Sequence, residues 1–137
     1  MLVWMPRSVE YAAPAPPPTL AGRARVSASF VCPSDSLGAV NDGAEPAHSG
    51  DGSIPRMTWW DHKGTVEWIQ YEFAEPVRLK GCAVYWFDDR PGGGCRVPRA
   101  WQVEFREKNS WKPVPRAGVD EPVMNRWCEA RFAPVLT

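Results

Sequence analysis

Two adjacent tryptophans, Trp59 and Trp60, stand in the stretch "MTWWDHKGTVEWIQYEF", just before an acid, a histidine and a glycine turn. Adjacent residues of an extended segment point to opposite faces, so we expect one indole in the core and the other exposed or in a cleft. An exposed indole offers a flat apolar surface to the C–H face of a sugar ring, and neighbouring polar groups bond the hydroxyls. The pair therefore suggests a carbohydrate platform, with ordinary core packing as the alternative for each tryptophan.

Polar partners for such a platform lie beside the pair and in a later loop. Asp61 and His62 follow it directly. Directional bonds to sugar hydroxyls suit acidic, basic and imidazole side chains. The later loop supplies Trp86, Asp88, Asp89, Arg90 and Arg96.

The turn "AVNDGAEP" offers oxygen ligands of the kind that calcium prefers. Side-chain and backbone oxygens around Asn41 and Asp42 can converge on a hard cation. The segment is no EF-hand, because it lacks the alternating acids and the closing glutamate. Plain turn chemistry explains the same residues equally well.

Common catalytic signatures are absent from the sequence. His48 and His62 are the two histidines, and there is no G-x-S-x-G, H-E-x-x-H or P-loop pattern. Asp88 and Asp89 are adjacent, and such residues at a strand end diverge instead of facing one glycosidic bond, which favours a solvated acidic turn. We therefore expect a protein that is not an enzyme.

Composition narrows the class of partner. Sixteen basic residues balance sixteen acidic ones, so no net field draws the chain to nucleic acid or to an anionic membrane, and a neutral ligand fits better. The segment Met1–Met5 is too short for a signal-peptide core, and no apolar run has the roughly 18 residues of a membrane span. We expect a soluble protein whose compartment the sequence does not specify.

The four cysteines are Cys32, Cys82, Cys95 and Cys128. They show no C-x-x-C pair, so neither a zinc ribbon nor a redox motif is indicated. Buried free thiols are the first interpretation, and one disulfide between Cys82 and Cys95 is the alternative.

The elements that must position these residues are short strands. Fifteen prolines and eleven glycines divide the chain into pieces too short for long helices. Alternation predicts strands in "ARVSASFV", "TVEWIQYEF", "VRLKGCAVYWF" and "AWQVEFRE", a hairpin turn at "KNS" before "WKPV", and a long loop from Cys32 to Met57. We predict an all-β chain: a leader strand and proline-rich linker over 1–22, then an antiparallel β-sandwich over 23–137.

Several long motifs between Arg23 and Val114 resemble one known family. They are "SASF", "AVNDG", "SIPRMTWWDHKGTVEWIQYEF", "VYWFDD", "GGCRVPRAWQVEF" and "WKPV". Together they resemble the C-terminal module of bacterial glycoside hydrolases of family 127, the β-L-arabinofuranosidase-like proteins. The resemblance implies a galactose-binding-like, discoidin-like jelly roll that binds an oligosaccharide or a plant polysaccharide.

The resemblance also implies two sites. A structural calcium ion would take Asp42 as its side-chain ligand, with Ala39, Ala44 and Thr58 as backbone or hydroxyl contributors. The sugar site, in loops at one end of the sandwich, would draw on Trp59 or Trp60, His62, Asp88, Arg90 and Arg96.

Two departures from the family shape the functional expectation. The helical catalytic barrel is absent, so hydrolase activity is not carried over. The spacing in "MNRWCEARFAPVLT" is stretched, which predicts that the usual last strand is missing and that Leu2–Met5 fills the edge, or that two chains exchange strands in a homodimer. The expected function is non-catalytic carbohydrate binding as an accessory module or fragment of a plant-glycan-degrading enzyme. The alternative is a structural module that packs against a catalytic domain or self-associates, without binding sugar.

Overall fold

The computed structural model describes residues 19–137, and strands dominate them. Two short 3-10 helices, Ala21–Arg23 and Leu37–Val40, are the helical segments in that range. The strands are β1 Arg25–Ala28, β2 Ile69–Glu72, β3 Arg78–Tyr85, β4 Glu104–Glu107, β5 Ser110–Pro113, β6 Gly118–Val119 and β7 Trp127–Leu136. All pairs are antiparallel, which confirms the all-β prediction.

The strands form three small sheets. The first pairs β1 with β2, the second has the order β3-β7-β6, and the third is the β4-β5 hairpin. The predicted turn at "KNS" is confirmed, because Glu107 pairs with Ser110 and Lys108 adopts a φ of 56°. Each strand that alternation predicted is present, though β1, β2 and β4 have only four residues each of longer predicted runs.

The C-terminal segment forms the longest strand, β7, with ten residues. It lies in the middle of its sheet, between β3 and β6. Sequence reasoning did not predict this strand, although Cys128, Ala130 and Phe132 are buried and alternate with charged Glu129 and Arg131. That period of two is the signal for a strand with one buried face.

The core lies where β7 packs against the segments on either side of the β4-β5 hairpin. Its buried residues are Val114, Ala130, Phe132 and Val135, and Leu79, Trp101, Val103 and Phe105 pack against them. The hairpin is extended by a hydrogen bond from the Val114 amide to the Val103 carbonyl (3.1 Å). Alternation predicted that Trp101, Val103 and Phe105 lie on one face of a strand, and all three side chains do pack against this core.

The long loop after β1 folds back on itself in an ordered way. The Cys32 amide donates to the Thr58 carbonyl (2.9 Å), and the Ser36 amide donates to the Arg56 carbonyl (3.0 Å). These bonds set residues 32–36 beside residues 56–60. Because side chains alternate along an extended segment, Arg56, Thr58 and Trp60 share a side.

The four cysteines are free thiols, as the first interpretation expected. Cys32 and Cys128 are buried, whereas Cys95 is half-buried and Cys82 is exposed, so burial was predicted correctly for only part of the set. No helix long and apolar enough to cross a bilayer occurs in residues 19–137. The leader strand, the proline-rich linker and the strand exchange predicted for Leu2–Met5 lie outside the described residues.

Candidate functional site

A cleft of about 330 Å³ opens where three segments meet: residues 32–36, residues 56–60 and the loop of residues 88–97. Its lining is mixed, with one aromatic side chain among polar groups. The lining includes the side chains of Asp35, Arg56, Thr58, Trp60, Asp89 and Cys95. A neighbouring hollow of about 250 Å³ shares Asp35 and Arg56 with it.

The floor of the cleft is a hydrogen-bonded group around Asp35. Its carboxylate, whose side chain is 2% exposed, lies 3.3 Å from Arg56 Nε and accepts a hydrogen bond from Thr58 Oγ1 (2.5 Å). The Arg56 guanidinium also lies over the Phe87 ring, at 4.9 Å. Asp35, itself bonded by Thr58, therefore holds Arg56 through Nε, and the terminal nitrogens of Arg56 have no hydrogen-bond partner among residues 19–137.

One wall of the cleft is the 88–97 loop, which Asp88 organises from inside. Asp88 is fully buried and accepts bonds from Arg90 Nε (2.8 Å), Arg90 Nη2 (2.5 Å), the Arg90 amide (3.1 Å) and the Val97 amide (3.1 Å). These donors, Arg90 first, lower the pKa of Asp88 to about 2. The expected solvated acidic turn is thus wrong for Asp88, because its carboxylate ties the two ends of the loop together.

Asp89 turns the other way and reaches the cleft. Its Oδ1 accepts a bond from the Cys95 amide (2.8 Å) and lies 3.9 Å from Arg96 Nη1, and the side chain is 33% exposed. The divergence expected for adjacent acids is therefore present. Asp89 Oδ2 lies against Gly93, where a Cβ would overlap it, and it has no hydrogen-bond partner within the described range.

Cys95 brings a neutral thiol to the cleft. Burial raises its pKa, and the Asp89 and Asp35 carboxylates raise it further. A raised pKa disfavours the thiolate, which is the nucleophilic form of cysteine.

Trp60 is the aromatic side chain of the cleft, and it is 41% exposed. The outer end of its indole lies against Gly94, where a Cβ would overlap the ring. Trp59 points away: it is half-buried, and its Nε1 is buried with no partner among residues 19–137. The two indoles therefore diverge as adjacent residues of an extended segment should.

Other residues predicted for the sugar site do not line the cleft. His62 bonds Glu67 through Nδ1 (2.6 Å) and stacks on Phe30 with ring centroids 4.1 Å apart. Trp86 packs edge-on against Trp101 at 5.6 Å. Arg90 is committed to Asp88, and Arg96 donates to the Gly93 carbonyl (2.9 Å) and the Cys95 carbonyl (2.6 Å). Of the residues that the sequence suggested for the platform, the structure brings Trp60 and Asp89 to the cleft and places Arg96 in its wall.

The residues predicted for calcium have partners within the protein. Asn41 donates from its amide to the carbonyls of Ala21 (3.0 Å) and Ala24 (3.1 Å), and Asp42 Oδ1 accepts from the Ala44 amide (2.8 Å). The Ala39 amide donates to Ser36, and Thr58 belongs to the Asp35 group. Residues 19–137 hold no cluster of three or more histidine, cysteine or acidic ligands. Calcium binding at carbonyl and amide oxygens there stays a prediction.

Sequence reasoning missed Asp35, Arg56 and Gly94 as parts of the site. The spacing of Arg56, Thr58 and Trp60 carries a usable signal, because three alternating residues of an extended run face one side. Asp35 and Gly94 lie in separate segments, and only the fold brings them to that side.

Comparisons with known proteins give no relative for this chain. No family model matches it, and no curated protein or solved structure matches it.

Proposed function

We propose that this protein is a non-catalytic carbohydrate-binding module and that the cleft beside Trp60 is its binding site. The resemblance to the C-terminal modules of glycoside hydrolase family 127 supports an accessory role beside a plant-glycan-degrading enzyme. It also supports the finer fold proposal, a galactose-binding-like sandwich, with which small antiparallel sheets, two of them sharing one core, are compatible.

The observation that carries the proposal is Trp60. A side chain of this size that is 41% exposed leaves apolar surface in water, at a cost in free energy proportional to its area. At the edge of a polar cleft, that surface suits the apolar face of a sugar ring, which a ligand would cover on binding.

The polar groups of the cleft match the hydroxyls of a sugar. Arg56 supplies N–H donors and is held by Asp35 through Nε. The Asp89 carboxylate, which the Cys95 amide holds through Oδ1, supplies acceptor oxygens. Held donors and acceptors lose little conformational entropy on binding, so they add specificity at low cost. The raised pKa of Cys95 and the burial of Asp88 argue against a nucleophile or an acid pair at this site.

A specific observation favours the second function, a structural module that packs against another domain or another copy. Large apolar side chains are exposed away from the cleft: Val66 at 98%, Leu136 at 67%, Trp68 at 51%, Trp111 at 48% and Trp127 at 41%. Exposed apolar surface of this kind is typical of interfaces when it is contiguous. The two functions differ in one observable, the response to sugar.

The test is a titration of the purified protein with arabinose- and galactose-containing oligosaccharides, with and without calcium, followed by tryptophan fluorescence and calorimetry. We expect saturable binding that Trp60→Ala weakens by about tenfold or more. Trp111→Ala is the matched control, since Trp111 is 48% exposed on the β4-β5 hairpin and does not line the cleft, and it should bind as the native protein does. No heat and no spectral change across the panel would overturn the proposal in favour of the packing module.

A further inference from the structure

A lysine stands over the aromatic platform itself. Lys63 Nζ lies 5.0 Å from the centroid of the Trp60 ring, a distance at which the ring attracts a cation. Within residues 19–137, no carboxylate lies in ion-pair contact with Lys63. Asp61, two residues away, is exposed and outside contact distance.

The acids of the cleft are already matched by arginines. Asp35 lies 3.3 Å from Arg56, and Asp89 lies 3.9 Å from Arg96. Lys63, beside Trp60, has no carboxylate partner of this kind among residues 19–137. The net charge of the whole chain is zero, which favoured a neutral ligand. That sum includes surfaces far from the cleft, so it does not describe the charges around Trp60.

Arg56 adds a second cationic donor on the cleft side. Its Nε faces Asp35 and its plane covers Phe87, while its terminal nitrogens have no hydrogen-bond partner in the part of the chain that the structure describes. The side chain is 41% exposed. A planar guanidinium fixed in this way presents a fork that fits a carboxylate or a sulfate.

Stacking a ring on Trp60 has opposite consequences for neutral and acidic sugars. Any ring that covers this face moves the Lys63 ammonium away and ends its contact with the indole, a contact worth about 0.5–1 kcal/mol at an exposed site. A neutral sugar has no anionic group that could pair with the displaced ammonium. An acidic sugar replaces the lost contact with an ion pair.

We infer that the ligand of this cleft is an acidic carbohydrate, whose anionic substituent lies between Lys63 and Arg56 while its ring stacks on Trp60. This inference rests on the proposed carbohydrate function. The shared chemistry is an anionic group on a sugar ring, either the carboxylate of a uronic acid or a sulfate ester.

The test compares ligands of equal length that differ in charge: a galacturonate oligosaccharide, its methyl ester and a neutral galactose oligosaccharide, each titrated by calorimetry. We expect the acidic form to bind roughly tenfold more tightly at low ionic strength, with the preference shrinking at about 0.5 M NaCl. A sulfated galactan oligosaccharide separates the two sources, because equal binding indicates charge recognition and weaker binding indicates a carboxylate site.

Lys63→Met should abolish most of this preference and tighten neutral binding, because no ammonium then has to leave the indole. Lys112→Met is the matched control: Lys112 lies on the β4-β5 hairpin and pairs with Glu107, so its loss should leave the preference intact. Equal binding of charged and neutral forms to the native protein would overturn the inference while the carbohydrate proposal stands. Absence of binding to every member of the panel would overturn both.

Discussion

Asp88 shows how one residue can be essential to a site without touching a ligand. Its carboxylate accepts four hydrogen bonds from Arg90 and Val97 and so fixes the wall from which Asp89 reaches the cleft. The sequence predicts that the adjacent acids diverge. It does not predict which one faces inward, because that depends on the position of Arg90 and of the Val97 amide in the folded loop.

We expect Asp88→Asn to lower the free energy of unfolding by roughly 2–3 kcal/mol at neutral pH, because the amide nitrogen would face N–H donors. Urea denaturation measures the change. Asp42→Asn is the control, since Asp42 is exposed and makes a single turn bond that asparagine also makes. Equal losses in the two variants would contradict the role assigned to Asp88.

The same residue predicts a pH dependence. The pKa of Asp88 is lowered from 3.8 to about 2 in the folded protein, so its contribution is present above the unfolded pKa and is lost as pH falls through the folded pKa. The stability difference between the native protein and Asp88→Asn should therefore shrink between about pH 4 and about pH 2. A difference that stayed constant over that range would contradict the ionised, paired state of Asp88.

Gly94 links the 88–97 loop to the orientation of Trp60. A Cβ at this position would overlap the outer ring atoms of Trp60, and a side-chain end that is partly exposed can move aside at little cost to the fold. Alternation along one segment predicts that one indole of the pair is exposed. It does not predict the contact with Gly94, which joins two elements that are distant in the sequence.

Gly94→Ala should weaken carbohydrate binding by about tenfold and change the unfolding free energy by less than about 1 kcal/mol. The reason is that the added methyl group turns the indole away from the cleft. Gly52→Ala is the control, because nothing lies within 4 Å of a Cβ there. Calorimetric titration and thermal unfolding of both variants separate the effects, and unchanged binding by Gly94→Ala would contradict the contact.

For the whole molecule, local pattern predicted the strands better than their assembly. Alternation predicted β1, β3 and the β4-β5 hairpin. It could also have predicted β7, where every second residue from Cys128 to Phe132 is buried. The cleft is lined by residues from three segments, 32–36, 56–60 and 88–97. No spacing in the sequence predicts that these segments lie side by side. The carbohydrate hypothesis expected one exposed indole in the Trp59–Trp60 pair, and the structure exposes Trp60. It also expected partners, such as His62, whose side chains bond elsewhere in the fold.

The most direct test of the account is an NMR titration that follows the indole N–H signals of the eight tryptophans as an acidic oligosaccharide is added. Trp60→Phe assigns the signal of Trp60 by its loss. The account predicts a saturable shift of that signal, while Trp68, Trp111 and Trp127, which are exposed away from the cleft, stay unchanged. No shift at Trp60, or a larger shift at one of those three, would contradict the assignment of the cleft as the binding site.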